Sequence, residues 1–427
     1  MNLKRELKFL CKLLLHPLYM AGRITPRNGD KWLFATHWGR FCDNSKYLFL
    51  RVTKEHPDIR AIWIANSREE LREVRRAGLE CHRWYSPAGL YHGFTAGVFL
   101  STALTSDINR YAGDGAFWVY LGHGVGLKRT KWMEPGANMK KMFGYGHREL
   151  AESRRARIEY YLIFWQPPTL CLSTSHSQAM KFYAPMFRIP PERCVLTDYP
   201  RNRILLCTEK QRRAFIVRHE PPETVAFIDR LREFGKVYIY MPTWRGDGSD
   251  FIGRSGIDFD RMEEALSRTG SCLVLRLHQL TCAALPDPAR CPHVIPFEPR
   301  CHDINTVLPY TDCLITDYSS VYTDFVLMDK EVILFPFDRE EYLKNSYDLL
   351  GYDEYYLGRR VTTFGDLLAL VENRTDCHLS AGERDFLMEE FWGARNSGVN
   401  LIEEIRKRYR SGAWKRNRVA TEQSTEP

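Results

Sequence analysis

The segment from which this sequence is best approached runs Leu314-Ile315-Thr316-Asp317-Tyr318-Ser319-Ser320. Its first residues are consecutively apolar, which is typical of a strand buried on both faces of a parallel sheet. The chain then turns polar, and the paired serines fall where a following helix would begin. A helix N-terminus carries unpaired N–H groups and a dipole that favours negative charge. The segment therefore predicts a strand–turn–helix unit that binds a phosphate group, although such a serine is more often only a helix cap.

Strand-like and helix-like segments alternate along the whole chain, which is typical of parallel sheets with helices on both faces. The predicted strands are Trp32–Thr36, Ala61–Ala65, Val98–Ala103, Phe117–Leu121 and Leu170–Thr174, then Val237–Tyr240, Cys272–Leu277, Cys313–Thr316 and Val332–Phe335. A charged stretch over 209–222 that ends in Pro221-Pro222 separates these two sets, since proline cannot continue a helix. The pattern predicts an α/β protein with two Rossmann-like domains that face a cleft.

Size and charge narrow the function further. A chain of 427 residues is too long for one typical core, which agrees with two domains. The net charge of +8 suits an acidic partner such as a nucleotide, a polyphosphate chain or an anionic membrane surface. No recognised nucleic-acid-binding module is present, so we expect no nucleic-acid partner. The 12 cysteines include no Cys-x-x-Cys pair, which indicates reduced thiols in a cytoplasmic protein.

Both ends of the chain are basic, and the first is also amphipathic. Leucines recur at helical spacing at Leu3, Leu7, Leu10, Leu14 and Leu18, and basic residues occupy the other faces at Lys4, Arg5, Lys8 and Lys12. We predict that residues 1–30 form an amphipathic, membrane-associating segment, the alternative being an ordinary surface helix. Residues 401–427 are predicted to form a basic helix and tail that contacts anionic lipid or is simply solvated. No run is long and apolar enough to cross a bilayer.

Ligands of open parallel sheets bind beyond the carboxyl ends of the strands, so the residues that follow predicted strands are the candidates for a site. Four strand ends carry polar or cationic residues: His123 with Lys128, Thr243 with Arg245, Arg276 with His278, and Thr316 and Asp317 with Ser319 and Ser320. A single histidine at a strand end is usually structural. Two histidines from different halves of the chain, accompanied by cations and paired serines, favour a site for a phosphorylated ligand.

The order of these motifs resembles that of the CDP-glycerol glycerophosphotransferases of teichoic acid and capsule synthesis. The resemblance rests on His123-Gly124-x-x-Leu127-Lys128, Tyr199-Pro200-Arg201-Asn202, Pro242-Thr243-Trp244-Arg245, Arg276-Leu277-His278 and the Thr316-to-Ser320 segment, and covers about residues 32–405. The stretches Asp43–Phe49 and Trp63-Ile64 are also similar. Val125-Gly126 stand where the family commonly has a proline, and Gln279 replaces the proline after the second histidine.

The resemblance implies a two-domain fold of the GT-B type, bound peripherally at the cytoplasmic face of the membrane. Residues 31–205 would form the acceptor domain and residues 206–400 the CDP-alditol-binding domain. The implied reaction transfers glycerol phosphate from CDP-glycerol to a hydroxyl of a lipid-linked or polymeric acceptor and releases CMP. It uses no cofactor.

Within that reaction we assign two catalytic residues: His123 as general base, and His278 as a contact to the donor diphosphate that acts either as an acid or as a cationic stabiliser. The expected substrate-binding residues are Lys128, Thr243, Arg245, Arg276, Thr316, Asp317, Ser319 and Ser320, and no metal site is expected. Three alternatives stay open: a CDP-ribitol ribitolphosphotransferase, a sugar-nucleotide glycosyltransferase on the same scaffold, and a non-catalytic relative that scaffolds an assembly.

Overall fold

A computed structural model describes residues 14–37, 39–133, 167–245, 250–277, 285–298, 302–345 and 349–415, together with residues 7, 10, 11, 153 and 154. The chain divides into two compact units. The first comprises residues 1–123, 131–201 and 394–427, and the second comprises residues 124–130 and 202–393. The chain therefore leaves the first unit twice, after His123 and after Arg201, and returns to it at Lys131 and at Ala394.

The first unit is built on a parallel sheet of seven strands within the described residues. These are β1 Asn28–Ala35, β2 Arg60–Ala65, β3 Cys81–Arg83, β4 Ala96–Ser101, β5 Phe117–Tyr120, β6 Leu170–Ser173 and β7 Cys194–Leu196. Their order across the sheet is β3-β2-β1-β4-β5-β6-β7. Strands β4, β5 and β6 are buried along their whole length. Such strands tolerate ionisable side chains only where they end.

The second unit has its own parallel sheet. Its described strands are β8 Lys236–Tyr240, β9 Ser271–Leu275, β10 Val294–Pro296, β11 Cys313–Thr316, β12 Glu331–Leu334 and β13 Arg359–Arg360, in the order β10-β9-β8-β11-β12-β13. One face packs a core that includes Tyr238, Leu273 and Ile315 against helical residues such as Leu266 and Leu368. The ammonium of Lys236 and the carboxylate of Glu331 form a buried pair at 2.7 Å.

The helices connect and cover these strands. In chain order the described helices are α1 His16–Ile24, α2 Asp43–Glu55, α3 Arg68–Arg76, α4 Pro87–Thr95, α5 His176–Gln178, α6 Ala184–Phe187, α7 Asn202–Leu206, α8 Glu209–His219, α9 Pro222–Leu231, α10 Phe251–Arg254, α11 Phe259–Thr269, α12 Ile304–Val307, α13 Val321–Met328, α14 Arg339–Asn345, α15 Tyr352–Tyr355, α16 Phe364–Glu372, α17 Ala381–Trp392 and α18 Leu401–Ser411. A π-helical turn, Ala179–Tyr183, joins α5 to α6, and 3₁₀ turns lie at Thr105–Asp107, Lys131–Met133, Pro191–Arg193 and Leu308–Tyr310. None of the described helices combines the length and hydropathy that crossing a membrane requires.

The predicted α/β class with two parallel sheets is confirmed. The prediction missed the short strands β3, β7, β10 and β13, because two or three residues are too few for an apolar period to appear. The charged stretch over 209–222 is not an irregular linker, since α8 occupies most of it. Pro221 is the N-cap of α9 and Pro222 its first residue, so the prolines end one helix and start the next.

The C-terminal helix belongs to the first unit. Helix α18 starts at Asn400, whose side chain accepts the N–H of Ile402. The ring of Trp414 meets Phe117 of β5 edge-on at 5.4 Å. At the other end of the chain, Leu14 and Leu18 are exposed, while most residues before Leu14 lie outside the described part. The predicted membrane-associating role of residues 1–30 and of the basic tail therefore stays a prediction.

Candidate active site

His123 follows β5 at the carboxyl edge of the first sheet. The turn that carries it needs Gly122, whose φ of +67° lies in the left-handed region. A Cβ atom there would also lie 3.1 Å from the hydroxyl oxygen of Tyr199. The imidazole of His123 is exposed and hydrogen-bonded to the backbone of Thr102, which follows β4. The sheet thus delivers this side chain to solvent at a strand end.

The start of α2 holds the turn in place. The amide of Asn44 donates to the carbonyls of Leu121 at 3.3 Å and Gly122 at 3.1 Å. Its side-chain oxygen accepts the backbone N–H of Arg201 at 3.2 Å. Asn44 is fully buried, so these bonds are not exchanged for bonds to water. One side chain therefore joins the end of β5 to the Tyr199-Pro200-Arg201-Asn202 motif.

Arg201 also stabilises the turn that carries His123. Its guanidinium donates to the backbone carbonyl of His123 at 2.8 Å and to the carboxylate of Asp43 at 3.3 Å. Both charged side chains of this pair are buried. Asp43 has a φ of +62°, which is uncommon for a residue with a side chain. The family-like Asp43-Asn44 pair is thus a support for His123.

The surroundings keep His123 neutral. Although the residue is exposed at the surface, the groups packed around it displace part of the water from the imidazole, which lowers its pKa, and the positive charges of Arg201 and His37 lower it further. The carboxylate of Asp43 and the hydrogen bond to Thr102 act in the opposite direction without reversing the shift. A neutral imidazole can accept a proton, which is what a general base requires.

A second histidine, His37, belongs to the same edge and was missed by the sequence analysis. It follows the end of β1, and its Nδ1 lies 3.0 Å from a carboxylate oxygen of Asp107. Its backbone N–H donates to the hydroxyl of Thr102 at 3.4 Å. The sequence analysis treated polar residues after four other predicted strands as site candidates. The same rule, applied to the predicted strand that ends at Thr36, would have found His37.

The second unit places most of the other predicted residues around Asp317, at the end of β11. One carboxylate oxygen of Asp317 accepts the N–H groups of Thr243 at 2.9 Å and Tyr318 at 2.5 Å. Its other oxygen accepts from the guanidinium of Arg245 at 2.8 Å. Asp317 is 1% exposed, so this carboxylate holds the strand-end turns together.

Arg245 is enclosed by this network. Its guanidinium makes two bonds to Asp338, at 2.7 and 2.8 Å, and also donates to the carbonyl of Thr243. The side chain is 4% exposed and lies 4.8 Å from the ring of Tyr342. Two carboxylates thus neutralise the charge of Arg245, and its expected contact with substrate stays a prediction.

Lys128 lies close to the same group. The pKa of its ammonium is lowered to about 8, because burial and the charge of Arg245 outweigh the opposing effect of Asp317. Its nitrogen is 5.9 Å from the ring centre of Tyr342. An isolated antiparallel bridge to Leu349 fixes its backbone. Unlike Arg245, Lys128 is only partly buried, which leaves it better suited to contact a ligand.

The paired serines do not act as helix caps. Ser320 occupies the N-cap of α13 with a φ of −67° and a ψ of −12°, which is helical rather than the extended geometry that capping uses. Its side chain makes no cap hydrogen bond, and in the described part of the chain neither Ser319 nor Ser320 has a hydroxyl partner. Both are partly buried, so their hydroxyls are available to a ligand at the start of this helix.

The four remaining predicted residues differ in their surroundings. Thr316 is fully buried and donates its hydroxyl to the carbonyl of Met241 at 2.7 Å, which ties β11 to the end of β8. Thr243 has a buried hydroxyl without a partner within the described ranges. Arg276 is partly buried, with its guanidinium 5.8 Å from the ring of Phe297. His278 lies outside the described residues.

Among the residues that the structure describes, two clusters of side chains have the spacing of metal ligands, and neither contains a predicted site residue. They are Glu80 with His82 and His92, and Glu331 with Asp376 and His378. Each already has a cation from the chain: Arg60 binds the carboxylate of Glu80 at 2.8 and 3.0 Å, and Lys236 pairs with Glu331. A bound cation would have to compete with these charges.

Comparison with known proteins places the sequence motifs in context. A family model described as CDP-Glycerol:Poly(glycerophosphate) glycerophosphotransferase matches residues 18–396. The chain is 25% identical over 194 residues to the teichoic acid ribitol-phosphate polymerase TarL of Staphylococcus aureus, covering 45% of this chain and 33% of that protein. It is 24% identical to a teichoic acid poly(glycerol phosphate) polymerase of Staphylococcus epidermidis, covering 71% of this chain and 40% of that protein. The chain thus spans two-fifths or less of the length of these two relatives.

A relative of similar length also matches. The teichoic acid glycerol-phosphate transferase of Staphylococcus aureus is 21% identical, covering 78% of this chain and 80% of that protein. Among solved structures, the wall teichoic acid polymerase TagF superposes with a TM-score of 0.68 at 18% identity, over 96% of both chains. At that identity the likeness shows a shared fold.

We predict that Arg245→Ala lowers the free energy of unfolding by about 3–5 kcal/mol, because it leaves the buried carboxylates of Asp317 and Asp338 unpaired. Urea unfolding followed by fluorescence measures the change. The matched control is Arg254→Ala, which breaks the exposed pair with Glu341 and should cost less than about 1 kcal/mol. Equal stability of the two variants would contradict a structural role for Arg245.

Proposed function

Because the chain belongs to the CDP-glycerol:poly(glycerophosphate) glycerophosphotransferase family, we propose that it transfers glycerol phosphate from CDP-glycerol to a hydroxyl of a lipid-linked or polymeric acceptor. CMP is the product that leaves. The names of the glycerol-phosphate relatives support this donor and a polymeric acceptor. The observation that carries the proposal is the exposed imidazole of His123, which has a lowered pKa. The guanidinium of Arg201 fixes its backbone by donating to the His123 carbonyl.

The reaction assigns a task to each group. His123 takes the proton of the acceptor hydroxyl, whose oxygen forms a bond to the phosphorus that carries glycerol. The bond from that phosphorus to the bridging oxygen breaks, and CMP leaves with the electron pair. In this proposal the first unit binds the acceptor and the second unit binds the CDP-alditol.

The second unit would bind the donor diphosphate through Lys128 and the hydroxyls of Ser319 and Ser320. Charge-assisted hydrogen bonds to phosphate oxygens are stronger than neutral ones, so Lys128 supplies what the helix dipole alone does not. Thr243 can add its unpartnered hydroxyl. We assign Arg245 and Asp317 to positioning, because each already satisfies the other. Arg276 and His278 keep their predicted contact with the donor as a hypothesis.

A second candidate donor is CDP-ribitol. The relatives named as ribitol-phosphate polymerases cover about 45% of the chain at 25% identity, and the departures Val125-Gly126 and Gln279 do not discriminate between the alditols. Incubation with CDP-glycerol, CDP-ribitol and UDP-sugars, each with a membrane lipid extract, decides between the donors. Release of CMP only from CDP-glycerol supports the first proposal, whereas release of UDP supports a glycosyltransferase.

We predict that His123→Ala reduces kcat for CMP release by roughly 10²–10⁴-fold, since it removes the general base. In the wild type, activity should rise with pH as His123 loses its proton, with a midpoint below the ordinary value of 6.5 because its pKa is lowered. His378→Ala, at an exposed histidine of the second unit, is the control. Full turnover in His123→Ala would exclude His123 as the base.

Ser320→Ala tests the donor site. We expect the KM for CDP-glycerol to rise about tenfold or more, because a hydrogen bond to a charged phosphate is lost. The free energy of unfolding should change by less than about 0.5 kcal/mol, since the hydroxyl caps nothing. Ser380→Ala gives the reverse pattern: it removes the capping box of α17, costs about 1 kcal/mol and leaves the KM unchanged. A stability loss in Ser320→Ala without a KM change would refute this assignment.

We also propose peripheral binding at the cytoplasmic face of the membrane, through the first helix and the anionic lipid surface. Support comes from the exposed side chains of Leu14 and Leu18 beside the basic residues of the N-terminus. In a flotation assay with anionic vesicles, the affinity of the double variant Leu14→Gln/Leu18→Gln should be at least about tenfold lower. The reason is that two leucines proposed to insert into the lipid are replaced by polar side chains. Leu343→Gln, at another exposed leucine that belongs to the second unit, should float like the wild type. Unchanged flotation of the double variant would rule out this anchor.

A further inference from the structure

His37 and Asp107 form a charged pair that the proposed transfer does not use. The carboxylate of Asp107 is 3% exposed, whereas 42% of the His37 side chain is open to solvent. One carboxylate oxygen accepts from Nδ1 of His37 at 3.0 Å, and the other accepts the backbone N–H of Leu104 at 2.8 Å. The side-chain amide of Asn66 donates to the Asp107 carbonyl at 2.8 Å. The buried carboxylate of Asp107 thus fixes the imidazole of His37 at the surface.

The pKa of this imidazole is shifted in the opposite direction to that of His123. The hydrogen bond with Asp107 raises the pKa of His37, against the effects of burial and of the nearby Lys131. The pKa of His123 is lowered, in part by the charge of His37. The groups that face His37 are therefore Asp107, Lys131 and His123. When the pKa values of two neighbouring titratable groups are shifted in opposite directions, the two groups often have different roles in one site.

Both histidines are tied to Thr102, the residue that follows β4. The backbone N–H of His37 donates to the Thr102 hydroxyl, and the ring of His123 bonds to the Thr102 backbone. The ring with the raised pKa is consequently placed near the ring with the lowered pKa, on the same unit and at the same sheet edge. An anionic group of the acceptor that lies next to the hydroxyl deprotonated by His123 would therefore contact His37.

We propose that His37 binds a phosphodiester of the acceptor, adjacent to the hydroxyl that His123 deprotonates. This inference rests on the proposed function and narrows the acceptor to a chain end in which an alditol carrying the free hydroxyl is itself attached through phosphate. In such a chain end a single alditol unit separates the hydroxyl from the last phosphodiester. Asp107 is the positioning residue, because it acts only through His37.

The test compares two acceptors in the full-length protein: a short synthetic glycerol phosphate oligomer, and the same oligomer with its last phosphodiester replaced by an uncharged methylphosphonate. His37→Gln should raise the KM for the charged oligomer about tenfold or more and bring it close to the KM for the uncharged one. The KM for the methylphosphonate oligomer should be the same in both proteins. His378→Gln, which breaks a matched exposed pair with Asp376 at 2.6 Å, should preserve the preference for charge.

Two results would overturn the inference: an equal rise in KM for both oligomers, which indicates a structural role, or no rise for either. A binding measurement separates this from failure of the transferase proposal. In histidine-labelled protein, the charged oligomer should shift an NMR signal that is absent in His37→Gln, with or without turnover. Such a shift without CMP release would refute only the reaction, whereas CMP release without the shift or the charge preference would refute only the His37 site.

Discussion

A parallel sheet that is buried on both faces can hold ionisable side chains only where its strands end, and this constraint shapes the whole chain. The middle strands β4, β5 and β6 of the first unit are buried throughout. Each unit therefore collects its charged groups at a strand edge. In the first unit these surround His123, and in the second they surround Asp317. The connecting turns must be held by buried hydrogen bonds, because a mobile turn would lose the position of its side chain.

A carboxylate acts on the imidazole of each of two histidines in the first unit, but the pKa values of the two histidines shift in opposite directions. Asp43 is shared with the guanidinium of Arg201, so it offers His123 little net negative charge, and loss of water dominates. Asp107 instead bonds directly to the imidazole of His37, and this hydrogen bond is the largest influence on the pKa of His37. The pairing of each carboxylate, rather than its proximity alone, thus decides which imidazole can accept a proton and which holds a charge.

Much of this organisation could be predicted from the sequence, because apolar runs that end in polar residues are local features. Strand ends near His123, Arg245 and Asp317 were found in that way. The pairing of Arg245 with Asp338, 93 residues later in the chain, could not be found, since periodicity carries no information about which distant charges meet. Nor could the helical dihedral angles of Ser320, which depend on the turn before α13 and deny the hydroxyl its usual capping bond.

The segment after His123 shows how a departure from a family pattern can be compensated. A proline at Val125 or Gly126 would stiffen the backbone by fixing φ. Here the stiffening comes from elsewhere in the second unit: the carbonyl of Leu127 accepts the N–H of Leu350 at 2.9 Å, and Lys128 pairs with Leu349 in an antiparallel bridge. These bonds fix the backbone on both sides of the Lys128 side chain without proline. In this chain a backbone bridge between distant segments therefore fixes the position of Lys128, the task that a proline ring could otherwise perform.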